Sequence, residues 1–95
     1  MIIQIIKFES ALTEDEVLGL AQDRIDNFRA LPGLLQKYYV KFDRPNYYGG
    51  VYIWDSKESM ESFSGSALAE SIPAAYKVVG TPNVDISEGL FQLRD

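Results

Sequence analysis

From Ile2 to Phe8 the chain is apolar at both parities apart from Gln4 and Lys7, a short run that predicts a strand buried on both faces. Thr13-Glu14-Asp15-Glu16 then reads as a capping box, in which the Thr13 hydroxyl and the Glu16 carboxylate satisfy helix amides that lack an internal partner. Its three acids suit the positive end of the helix dipole. Val17, Ala21, Ile25 and Phe28 follow at helical spacing, with Leu18 and Leu20 widening the stripe. Leu31-Pro32-Gly33 predicts the stop, since Pro cannot continue the helix and Gly suits the exit turn. Leu34 to Phe42 alternates as a second strand, with Leu34, Gln36, Tyr38, Val40 and Phe42 on one side and Leu35, Lys37, Tyr39 and Lys41 on the other. The two lysines read as the guard of an edge strand. Arg44-Pro45-Asn46 predicts a turn, and Tyr48 to Trp54 a third strand. Asp55 or Ser56 caps a second helix with Met60 and Phe63 inward; it is expected to break at Ser64-Gly65, restart at Ser66 and end at Pro73. An irregular stretch through Gly80-Thr81-Pro82 leads to a last strand at about Val84 to Leu93.

The order β-α-β-β-α-β predicts a ferredoxin-like α+β fold, a four-stranded antiparallel sheet with both helices on one face, and residues 1–95 are read as one such domain. The central strands of that arrangement are the first and third, the two that are apolar or aromatic at both parities here. Two helices cover one face only. The other would leave about half a dozen Ile, Val, Tyr and Trp side chains in water, at roughly 1.5–3 kcal/mol each. The expected partner is therefore a second copy docking through the open face of the sheet, a homodimer.

Composition narrows the chemistry. The chain holds no cysteine and no histidine, which removes disulfides, thiolate and imidazole metal ligands and Ser-His triads together. No metal or cofactor is expected. A net charge of −5 without a basic run argues against nucleic acid and against anionic membrane surfaces. No segment has the roughly 20 apolar residues of a membrane span, and no signal peptide is recognisable, so a cytoplasmic location is expected.

Leu31-Pro32-Gly33, Tyr48-Gly49-Gly50-Val51-Tyr52-Ile53-Trp54 and Asp55-Ser56-Lys57-Glu58-Ser59, with Phe63, Ser66-Ala67-Leu68 and Pro82-Asn83-Val84 later in the same order, carry a resemblance to a known family. The chain resembles the dimeric α+β-barrel superfamily, and within it the antibiotic-biosynthesis-monooxygenase-like proteins, in particular the small mono-oxygenase branch whose third strand reads Gly-Gly-aromatic. The resemblance implies a dimeric barrel and admits several activities, among them cofactor-free oxygenation and haem degradation. Haem-degrading members use an Asn on the first strand, a Trp in the second helix and a His at the end of that region. Aligned on Trp54 and Ser66, those positions hold Gln4, Phe63 and Pro73, so the resemblance speaks against haem degradation here. Cofactor-free oxygenases of the family line an apolar pocket with Trp and Tyr, and the resemblance makes Trp54 and the tyrosines candidates for that lining.

The candidate ligand-lining residues are Tyr38, Tyr39, Tyr52, Trp54, Phe63 and Tyr76. Phenols stack on an aromatic plane and hydrogen-bond its oxygens; each strand tyrosine has the alternative role of a cross-strand packing pair. With a four-residue turn after Asp43, Tyr39 is expected opposite Tyr52, Lys37 opposite Trp54, and Tyr38 on the other side with Ile53. Tyr76 is placed in an irregular crossover able to cover the cleft. Gly49-Gly50 starts a strand and lacks the Lys-Ser/Thr of a phosphate loop, so it marks a bulge or a close backbone approach. The reading is a cofactor-independent, monooxygenase-like homodimer that binds a small apolar, aromatic or quinone-like molecule in a cleft of each subunit. No base is identified, although Lys37, Lys41, Arg29, the tyrosines and the Trp54 N–H are candidates for holding a substrate anion. The alternatives are a non-catalytic binding or sensing dimer and a domain whose function is dimerisation alone.

Overall fold

The computed structural model describes residues 1–95, arranged as β1 (Ile2–Ser10), α1 (Glu14–Asp23), α2 (Ile25–Arg29), β2 (Leu34–Lys41), β3 (Tyr47–Trp54), α3 (Lys57–Ser64), α4 (Ala67–Ala75) and β4 (Val78–Glu88). The strands pair antiparallel in the order β2-β3-β1-β4, which puts the two doubly apolar strands in the centre, and the helices pack on one face. This is the ferredoxin-like α+β arrangement that the pattern predicts.

Opposite residues of an antiparallel pair share a face. The helix-facing side of β1 and β3 carries Gln4, Phe8, Ser10, Tyr48, Gly50, Tyr52 and Trp54, all buried. Ile3, Ile5, Val51 and Ile53 lie on the other side, half-buried by one another but covered by no helix, with Tyr38 57% exposed beside them. The capping box forms as expected: Glu16 N–H donates to Thr13 Oγ1 at 3.2 Å, and Thr13 N–H to Glu16 Oε1 at 3.0 Å. Gly33 sits at φ 79°, a left-handed turn that glycine adopts without strain, and its carbonyl accepts from Asp55 N–H at 2.8 Å.

Several local expectations are corrected. The first helix is split at Arg24 (φ −101°, ψ 2°), where the side chain crosses to α4 and Nη2 donates to Ser71 Oγ at 2.7 Å. The hairpin loop begins one residue earlier than expected, at Asp43, with Phe42 N–H bonded to the Tyr47 carbonyl at 2.9 Å. The β2–β3 register therefore slides by two: Lys37 lies opposite Tyr52 and Tyr39 opposite Gly50, while Tyr38 pairs with Val51. A bulge between Leu34 and Gln36 turns Leu34 to the core and leaves Leu35 61% exposed. α4 continues past Pro73 to Ala75, because Pro73 is exposed and Tyr76 N–H still reaches the Ile72 carbonyl at 3.0 Å. Tyr76 is therefore the buried cap of α4 and does not lie in an irregular cover. β4 starts at Val78 and ends at Glu88; Gly80 (φ 74°) and a register shift opposite Lys7–Glu9 absorb the Gly-Thr-Pro sequence, and an edge strand tolerates Pro82. No helix is long and apolar enough to cross a membrane.

Candidate functional site

A cavity of about 180 Å³ lies between the sheet and the helices. Ile6 and Phe8 of β1 and Tyr48, Gly50 and Tyr52 of β3 form its floor; Val17, Leu18 and Ala21 of α1, Phe28 of α2, and Ile72 and Tyr76 from α4 form its walls. β2 closes the remaining side with Lys37, Tyr39 and Lys41. Leu18 (52% exposed) and Tyr39 (39%) mark where it opens to solvent.

Gly50 makes the space. A Cβ there would stand 3.0 Å from Lys37 Cε and 3.0 Å from Tyr52 Cε1, so any side chain would occupy room the cavity now holds. Gly49 answers a different demand, since a Cβ would run into the Ile6 carbonyl; the register with β1 is unbroken there, so the pair marks a close backbone approach and no bulge. Tyr76 is held by Ser10, whose buried hydroxyl donates to the Tyr76 carbonyl at 2.6 Å, and its ring packs 5.4 Å from that of Phe8.

Of the six residues singled out from the sequence, Tyr39, Tyr52 and Tyr76 line this cavity. Tyr38 stands on the opposite face of the sheet. Trp54 and Phe63 form the layer behind: Trp54 is 0% exposed, stacks on Tyr52 at 6.1 Å and 4°, and lies 5.4 Å from Phe63. Its indole N–H donates to Gln4 Oε1 at 3.0 Å, so that donor is already used. Gln4, which the sequence reading compared with an Asn of haem-degrading proteins, therefore serves the core. Arg29 is solvent-exposed beside Asp26, and Lys41 pairs with Glu14 at 3.1 Å.

Phe28 and Gly50 were not assigned to the cavity from the sequence, and Lys37, one of several candidates there for holding a substrate anion, was also read as an edge guard. Lys37 Nζ stands 3.4 Å from the ring centroid of Phe28, 4.1 Å from that of Tyr39 and 4.5 Å from that of Tyr52. It is an inward group and no solvated edge guard. Burial, with the Arg24 charge adding to it, pulls the Lys37 amine down to about 7. Burial pushes the Tyr52, Tyr39 and Tyr76 phenols up, so all three are neutral at pH 7. Tyr47 is the one tyrosine whose hydroxyl bonds a protein group, Glu9 Oε1 at 3.4 Å; the four tyrosines that line the cavity, Tyr39, Tyr48, Tyr52 and Tyr76, keep their hydrogen-bonding capacity free.

The shifts set a pH dependence. The folded-state Lys37 lies below its unfolded value of roughly 10.4, so between about pH 7 and 10 the unfolded chain binds the extra proton and stability rises with pH. Above about pH 10 the phenols reverse the slope, because the folded chain retains protons that the unfolded chain has lost. Urea midpoints are expected to peak between about pH 9 and 10, with a gain of roughly 2 kcal/mol from neutral pH once solvent access to the amine is allowed for. Lys37→Met should remove that rise; a wild-type midpoint flat from pH 7 to 9 would contradict it.

The arrangement of one helical layer on a four-stranded antiparallel sheet is similar in fold to solved structures that include antibiotic biosynthesis monooxygenases. SnoaB, a cofactor-independent oxygenase from Streptomyces nogalater, superposes with a TM-score of 0.76 at 12% identity over 99% of this chain and 97% of its own. A Nitrosomonas europaea protein of unknown function, NE2512, gives 0.78 at 15% identity over 99% and 93% of the two chains. A variant of MhuD holding two manganese protoporphyrin IX molecules per active site gives 0.76 at 16% identity over both full lengths. At this level of identity the likeness is one of fold. No family model and no curated protein matches the sequence.

Proposed function

We propose that the chain binds a small apolar aromatic molecule in the cavity between β2–β3 and α1, works as a homodimer through the open face of its sheet, and oxygenates that molecule without a cofactor. The cavity itself carries this reading: a largely apolar space with four unbonded phenols and the unpaired Lys37 amine on its walls. Its size bears on the ligand. An engineered apolar cavity of roughly 150 Å³ accepts benzene, so about 180 Å³ suits one substituted ring, and a larger quinone-like frame must extend through the mouth at Leu18 and Tyr39. The likeness in fold to a cofactor-independent oxygenase supports the chemistry, which would start from a ligand made electron-rich by loss of an acidic proton.

A porphyrin suits these residues poorly. The chain offers neither His nor Cys, its cavity phenols are held neutral, and a macrocycle exceeds the space available. The dimer is supported by surface. A monomer of this mass ordinarily exposes about 5,500 Å², whereas the 10.7 kDa chain exposes 6382 Å². The excess, on the order of 900 Å², matches one side of a standard interface. Part of that surface is Leu90, Phe91 and Leu93, each more than 80% exposed beyond β4, which a partner would cover.

Thermal shift across single-ring phenols, hydroquinones, naphthols and anthrones tests the reading. At a hundredfold excess over Kd a bound ligand stabilises by about 2.7 kcal/mol, a Tm rise on the order of 10 °C for a domain of this size. The smallest rings should give the largest saturable rise, and oxygen uptake with the hits separates an oxygenase from a non-catalytic binder or sensor. No shift from any aromatic compound would refute the binding reading.

A further inference from the structure

Two cations stand beside the cavity without a counter-ion. Lys37 Nζ makes no salt bridge and no hydrogen bond, only its close approach to the rings of Phe28, Tyr39 and Tyr52. Arg24, at the α1–α2 junction, bonds Ser71 Oγ through Nη2, faces the Tyr76 ring at 6.0 Å, and leaves its buried Nε without any partner. The chain has 14 acidic residues against 9 basic ones, yet none of the acids reaches either group. Glu14, the carboxylate among the cavity's lining residues, is committed to Lys41 at 3.1 Å. Cation–π contact offsets part of the cost of such burial but supplies no opposite charge. An anion entering this apolar space meets uncompensated positive charge at short range, where screening is weak.

We propose that the cavity's ligand is a single-ring phenol bound as its phenolate, with Lys37 Nζ as the group that takes the hydroxyl proton. The proposal rests on the aromatic-binding reading above and specifies the ligand class and the residue. The step balances simply. The ligand O–H breaks, its proton forms a bond with the Nζ lone pair, and an ammonium–phenolate pair remains; no carbon bond changes and nothing is oxidised. A phenolate that arrives already ionised pairs with the protonated amine and reaches the same bound state. The groups facing Lys37 are consistent with this from each side: Arg24 adds positive charge, and the neutral phenols of Tyr39 on β2, Tyr52 on β3 and Tyr76 from α4 provide O–H donors to a phenolate oxygen. An amine brought near 7 by its surroundings is matched to proton transfer at neutral pH.

The test uses para-nitrophenol, whose anion is yellow and whose neutral form is not, at a pH where most of the free probe is protonated. Addition of the full chain is expected to produce a saturable phenolate band. para-Nitroanisole, the same ring without an ionisable proton, should bind at least about tenfold more weakly by competition or thermal shift. In Lys37→Met the phenolate band should vanish while para-nitroanisole binding persists; Lys37→Arg, which supplies the charge but takes no proton, should retain the band by pairing with probe that ionises in solution. Binding of para-nitrophenol with the spectrum of its neutral form, equal affinity for both probes, or an undiminished band in Lys37→Met would each overturn the proposal while leaving aromatic binding intact. Failure of both probes to bind would overturn the cavity reading and this proposal with it. The wild-type spectrum decides the matter even where a variant does not fold.

Discussion

Ile53→Glu, alone or with Val51→Glu, is expected to convert the protein from a species of twice the 10.7 kDa chain mass into a single chain in sedimentation velocity. Both residues lie on the uncovered face, opposite Ile3 and Ile5 of β1, so no helix contact is lost. In a two-fold interface the substitution occurs twice, and two carboxylates are brought together in a place that was apolar. Removing a large apolar side chain fully from water is worth roughly 1.5–3 kcal/mol. These side chains are already half shielded by their neighbours in the sheet, so each contributes about half of that to docking. The four residues on each of two subunits still sum to on the order of 5–10 kcal/mol, which two buried and repelling carboxylates would cancel. A variant that remained a dimer, or a wild-type chain that sedimented as a monomer at micromolar concentration, would exclude this face as the interface.

Trp54→Ala should cost about 3–5 kcal/mol of folding stability from lost packing alone. The indole is the most completely enclosed side chain, stacked on Tyr52 and packed against Phe63. Its removal also leaves the buried Gln4 Oε1 without its donor, a further loss of about 1–3 kcal/mol. The total approaches the whole stability of a small domain, so urea unfolding of the variant should show little or no folded baseline. Trp54→Phe keeps most of the ring contacts and should lose about 1–3 kcal/mol. Ligand affinity should survive in Trp54→Phe, because Tyr52 stands between the indole and the cavity. A loss below about 1 kcal/mol in Trp54→Ala would mean that the core is not built around this residue.

Much of the architecture is legible in local chemistry. The doubly apolar β1 and β3, the Thr13–Glu16 capping box and the Ser66 restart of the second helical segment are each set by a few neighbouring residues, and each occurs where the pattern places it. What was not legible depends on distant contacts. The break at Arg24 coincides with a side-chain hydrogen bond to Ser71, 47 residues away. Starting the β2–β3 loop at Asp43 instead of Arg44 slides the register by two, which preserves every residue's face while moving Lys37 from Trp54 to Tyr52. Strand alternation put Lys37 and Tyr39 on one face, but could not say that α2 would bring Phe28 down over that face and turn a solvated lysine into a wall of the cavity. Depth is equally invisible along the chain. Tyr52, Trp54 and Phe63 are all aromatic and all inward, yet only the first reaches the cavity and the other two support it.

Amide and side-chain NMR of the labelled protein, titrated with an unlabelled single-ring phenol, tests the central claim most directly. Shifts that saturate and cluster on Phe28, Lys37, Tyr39, Gly50, Tyr52 and Tyr76, with Tyr38 and Ile53 unmoved, are the predicted result. Shifts confined to the open face of the sheet, or none at millimolar phenol, would contradict it.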